Sequence, residues 1–225
     1  LEVMKDPQEV SLEELADGIA ALEKNLQNRP DDAVAQTALG ESQILLFRVL
    51  LWQETLQNPS SMTDTEKWNR TSLKSMHANL GMLRRLSLKK PLDTMRDDPA
   101  IEKFLVPAFR SYVQARQSNP MSNRTHFRIA ELLPLLDKGD HLRESEGAII
   151  ERMTVVTPLS AIAWFEAGIL ERNLGHSAKA RECWKQSLLL SARYLPQVVS
   201  ITKIDLRGDN AIDLLRNTFP DSPEL

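Results

Sequence analysis

Residues 163 to 188, AWFEAGILERNLGHSAKARECWKQSL, restrict the folds open to this chain more than any other stretch. Small residues and tryptophans stand at helical spacing on either side of Gly175, a pattern that suits two antiparallel helices packed closely. Gly168 and Ala180 give the two backbones room to approach. Trp164 and Trp184 then fill the gap between this hairpin and its neighbours. Helices are expected near 160–173 and 177–191, with the glycine at the turn.

The spacing recurs. Ala108, Tyr112, Ala115 and Pro120 lead into His126, Ile129 and Ala130, which stand where Trp164, Ala167 and Gly168 stand later. Gly18, Leu22 and Pro30 lead in the same way into Leu39 and Gly40. With these matches in phase, the chain resembles the tetratricopeptide repeat, a helical hairpin that stacks into a solenoid. The resemblance implies an all-α fold, a right-handed α-solenoid of about five helical hairpins. It is cleanest over residues 105–192. Three departures stand out. Pro120 and Pro158 lie 38 residues apart, more than the family's period of about 34, which places an insertion around LDKGDH. Ala192 occupies the place of the closing proline. The helices expected at 32–56 and 63–89 exceed the family's usual length, so residues 1–90 read as divergent long-helix repeats. Residues 91–225 read as tetratricopeptide-like repeats in one continuous solenoid.

Proline, glycine and capping signals divide the rest of the chain. Ser11 and Glu14 form a capping box for a helix reaching about Asn28. The next runs from about 32 to 56 with Leu45, Val49, Trp52 and Leu56 on one stripe. Thr63 and Glu66 open a third, to about 89. KKPLDTMRDDP is a polar connection, followed by a short helix near 99–105 and a restart at Pro107 running to about 117. Further helices are expected at 122–136, from His141 to Val155, at 195–204 and at 209–218. No period-two pattern bounded by hairpin turns is present.

Composition narrows the function. The chain has 42% hydrophobic and 26% charged residues with a net charge of -3, so no global field draws it to nucleic acid. Cys183, the one cysteine, excludes an internal disulfide. No apolar run approaches the ~18 residues of a spanning helix. His77, His126, His141 and His176 are not paired at metal-ligand spacing, and no nucleophile or phosphate-loop motif appears. His126 reads as a packed histidine, His176 as a solvated turn residue, and Cys183 as an inert buried thiol. The carboxylate pairs Glu13–Glu14, Asp31–Asp32 and Asp97–Asp98 sit at helix starts, where they complement the dipole. Arg84, Arg85, Lys89, Lys90 and Arg96 form a basic cluster that suits a helix end. Asn69 and Asn123 head glycosylation sequons. Catalytic, cofactor and metal residues are therefore assigned to none.

The tetratricopeptide resemblance implies a non-catalytic scaffold that binds a protein or peptide, not nucleic acid, through a concave groove. Its groove positions fall here on Arg124, Phe127, Glu131, Phe165, Ile169, Arg172 and Asn173. ARECWKQSLLLSARYLPQVV, followed by FPDSPEL, also resembles the repeat segments appended to bacterial O-antigen ligase or polymerase-like membrane proteins. That resemblance implies an extramembrane, periplasmic accessory domain of a glycan-assembly enzyme, the membrane entering only through a segment outside this chain. The free scaffold would instead be cytoplasmic. Finally, the apolar stripe of Ile212, Leu214, Leu215 and Phe219 at the last helix leads to the expectation that the repeat array continues beyond Leu225.

Overall fold

The computed structural model describes residues 11–57, 76, 98–136 and 144–205, and the helices are numbered over these. They belong to two compact units, within 1–143 and 144–225. The first holds α1 (Leu12–Asn28), α2 (Ala33–Gln57), a π-turn (Ile101–Leu105) leading into α3 (Val106–Ser118), and α4 (Asn123–Leu132) with a 3-10 turn (Leu133–Leu135). The second holds α5 (Glu146–Val156), α6 (Ala161–Asn173), α7 (Ser177–Leu190), a 3-10 turn (Ala192–Tyr194) and α8 (Leu195–Asp205). All regular structure among the described residues is helical.

Helices α2, α4 and α6 begin by one device. Each is capped two residues after a proline: Asp32 Oδ1 accepts from the Val34 and Ala35 amides, Ser122 Oγ from Thr125, and Ser160 Oγ from Ala163. Six residues after the same proline, a side-chain N–H donates back to the prolyl carbonyl. Gln36 Nε2 reaches Pro30 at 3.3 Å, His126 Nε2 reaches Pro120 at 2.8 Å, and Trp164 Nε1 reaches Pro158 at 2.8 Å. The bond satisfies a carbonyl in the turn that enters each helix and fixes the angle of entry. Trp164 and His126 thus serve as donors in a turn as well as packing groups.

Ten residues after each proline stands a small residue: Gly40, Ala130 and Gly168. At two of these places an aromatic ring occupies the space of a side chain. A Cβ on Gly40 would lie 2.8 Å from the Tyr112 ring of α3, and one on Gly168 would run into the Trp184 indole of α7. Trp184 is 1% exposed, and its N–H donates to the Phe165 carbonyl at 3.3 Å. Truncating a core indole of this kind costs about 3–5 kcal/mol, so the close approach is what makes the α6–α7 hairpin stable. Gly175 closes the turn at φ 89, a left-handed conformation that side chains rarely adopt.

Three expectations need correction. Pro107 does not restart a helix: the π-turn passes without a break into α3. Proline lacks the N–H that an α-register would use, and the wider turn gives its ring room. Helix α5 begins at Glu146, not His141, because Ser145 caps it by accepting from the Ala148 amide. In α2 the fully buried residues are Ile44 and Phe47, with Val49 and Trp52, while Leu45 is half-buried. That helix packs against both α1 and α3, so a single stripe understates its buried surface. The expected third helix from Thr63, the basic cluster, most of the LDKGDH insertion and the terminal stripe of Ile212, Leu214, Leu215 and Phe219 lie outside the described residues.

Candidate binding cleft

Helices α2 and α4 both pack on α3, and their first halves leave an open cleft of about 540 Å3 between them. Thr37, Ala38 and Ser42 line it from α2, and Ser122 and Thr125 from α4. Glu41 and Arg124 also line it, one from each helix, with Arg124 Nε donating to Glu41 Oε1 at 3.1 Å.

Glu41 is also the acceptor for Arg128, whose Nε and Nη2 each donate to a different carboxylate oxygen at 2.9 Å. This two-pronged arrangement is the strongest geometry open to the pair. The third edge of the guanidinium donates through Nη1 to Glu131 Oε2 at 2.7 Å. Arg128 is 12% exposed and Glu131 8%, so the charges are held largely out of water and are tolerable only because each has its partners. Burial alone would raise the Glu41 carboxyl, but the guanidinium groups of Arg128 and Arg124 outweigh it and hold the group below the usual carboxylate range. Arg128 is pushed above its ordinary value by Glu131 and Glu41 despite its burial. Beneath them, Tyr112 is raised well above an ordinary phenol by burial and the nearby Glu41 charge. Of these charges Glu41 and Arg124 line the cleft, and Arg128, itself paired with Glu131, holds the Glu41 carboxylate in place.

The structure places the sequence-derived site residues in several kinds of surroundings. Arg124 is half-exposed and lines the cleft. Phe127 is half-buried, with the Arg128 guanidinium 5.6 Å from its ring centroid. Glu131 is buried as a partner of Arg128. Phe165 stacks on Tyr194 at 5.0 Å and packs against the Trp184 cluster. Ile169 and Arg172 are half-buried, and Asn173 is buried at 8% exposure. Arg124, Phe127 and Glu131 belong to the first unit and the other four to the second. Glu41 and Arg128 were missed. Glu41 stands eleven residues after Pro30, as Glu131 and Ile169 stand after Pro120 and Pro158, so carrying the register back one repeat would have named it.

Other chemistry is sparse. His126 is fully buried, as a packed histidine should be. His176, about half-exposed, is not merely solvated: Nδ1 lies 2.7 Å from Glu171 Oε2. Cys183 is pushed up to about 12 by burial and by Glu171 and Glu182, far from a reactive thiolate. Among the described residues no three His, Cys, Asp or Glu side chains are grouped to hold a metal ion. No described helix is long and apolar enough to cross a membrane. No family model matches the chain, and no curated protein matches it.

Proposed function

We propose that this chain is a non-catalytic scaffold of the tetratricopeptide-like kind, a right-handed solenoid of about five hairpins, that binds a protein or peptide partner between α2 and α4. The observation that carries the reading is the cleft itself. Its walls are two helices that enter from the same proline-cap turn, and they face each other with residues at matching repeat positions. An extended peptide suits it: small and hydroxyl-bearing walls leave space for a backbone, and Thr37, Ser42 and Thr125 supply hydroxyl groups along its length. Arg124 at the rim adds a charge whose partner Glu41 comes from the opposite wall.

The test is selection from a random peptide library on the 225-residue chain, followed by titration of the selected peptides. Ser42→Trp, which fills the cleft, and Arg124→Glu, which places like charge against Glu41, are each expected to weaken binding at least tenfold. Circular dichroism of both variants should match the wild type. Selected peptides that bind both variants as tightly as the wild type would move the site elsewhere. A library that yields no binder would overturn the peptide-binding reading.

A further inference from the structure

We propose that Tyr112 is a positioning residue for the cleft, placed to take over from Arg124 on Glu41 when a peptide's carboxylate draws Arg124 away. The inference rests on the peptide-binding reading above and adds the chemistry of the peptide, which is acidic.

Tyr112 is fully buried with its ring against Gly40, yet its hydroxyl makes no hydrogen bond among the described residues. A buried hydroxyl in that state is destabilising, and phenylalanine would avoid the cost. The hydroxyl stands close to Glu41, whose charge helps to raise the phenol. The carboxylate is already engaged. Its Oε1 accepts from Arg124 Nε at 3.1 Å and from Arg128 Nε at 2.9 Å, while Oε2 accepts from Arg128 Nη2 at 2.9 Å. A carboxylate oxygen offers two lone pairs, so Oε1 has none left for a phenol.

The two arginines differ in their hold. Arg128 is 12% exposed, grips both oxygens of Glu41 and is tied to Glu131 from another edge. Arg124 is 50% exposed and lines the cleft, so it is the donor within reach of a ligand. A carboxylate draws it best, because two oxygens match the fork of a guanidinium. Its departure would leave Glu41, only 19% exposed, short of a donor in a site where water enters poorly. The Tyr112 O–H supplies that donor from below. Two groups that would each lack a partner then satisfy one another, and Glu41 keeps its place.

A double-mutant cycle on the full chain tests the exchange without any ligand. Arg124→Ala imitates the vacated state. Tyr112→Phe alone should leave the urea midpoint unchanged or raise it, since the hydroxyl has no bond to lose. In the Arg124→Ala background the same substitution should lower the midpoint. An effect of one sign and size in both backgrounds would overturn the proposal. The peptides selected from the library provide the second arm. They should carry Asp or Glu, and replacing that residue by Asn or Gln should weaken binding about tenfold. Amidating the peptide's C-terminus distinguishes a side-chain carboxylate from a terminal one. Tyr112→Phe should weaken the same peptides while the chain stays as stable as the wild type. Binders that need no carboxylate, or that bind Tyr112→Phe as tightly as the wild type, would overturn the proposal. A library with no binder would overturn the peptide reading itself, an outcome that the ligand-free cycle tells apart from failure of the exchange.

Discussion

Replacing Gly168 by alanine adds one methyl group where the α6–α7 hairpin is tightest. The new Cβ would meet Nε1 and Cδ1 of Trp184, and would stand 3.0 Å from the Ala180 carbonyl oxygen. The carbonyl is backbone and cannot step aside, and the indole is 1% exposed with nowhere to swing. Either α7 moves outward or the indole gives up its bond to the Phe165 carbonyl. Overpacking of this sort costs about 1–3 kcal/mol, and the lost hydrogen bond about 1 kcal/mol more. Alanine returns about 1 kcal/mol through its better helix propensity. The expected net loss is therefore about 1–3 kcal/mol. Gly147→Ala in α5 of the same unit is the matched control, since its Cβ would have nothing within 4 Å; it should gain about 0.5–1 kcal/mol. Urea unfolding followed by tryptophan fluorescence and circular dichroism reads both. A Gly168→Ala protein as stable as the wild type, beside a stabilised Gly147→Ala, would refute the close-approach argument.

Two further outcomes follow from the charges. Glu41→Gln should destabilise the first unit by about 2–3 kcal/mol at pH 7, less than the full cost of breaking a buried pair because Glu131 still holds Arg128. The folded Glu41 lies below its unfolded value, so its contribution is present above about pH 4.3 and is lost as the pH falls through the lower folded value. Wild type and Glu41→Gln should thus converge in stability only as the pH falls through that lowered folded value, as measured by urea titration across pH. Cys183, held at about 12, should react with iodoacetamide at pH 8 at least ~100-fold more slowly in the native chain than in urea, because thiolate is the nucleophile.

Helix positions were largely legible because their signals are local. Ser11, Ser160 and the prolines mark starts, and Gly175 marks a stop, by chemistry acting within a few residues. The boundary at Glu146 was missed since Ser145 was not weighed against a generic run beginning at His141. The π-turn before Pro107 was illegible in principle to a reading that treats proline only as a breaker. The cleft was half-legible: Arg124 was named from one repeat, yet its partner Glu41 lies 83 residues away in sequence, beyond any local pattern. Phe165 was named from its repeat position, but its stacking on Tyr194 was not, because helical spacing carries no information about that contact.

The three proline-carbonyl bonds have a consequence for how the chain acquires its structure. Each spans six residues, so forming it closes only a short loop and costs little chain entropy. The cap two residues after the proline forms within the same turn. Neither asks for any contact with another hairpin. Entry into α2, α4 and α6 can therefore begin at three separate points along the chain, each setting its helix direction before the rings of Tyr112 and Trp184 find their glycines. Contacts this short in sequence favour fast folding, and they leave the slower search to the long-range pair between Glu41 and Arg128.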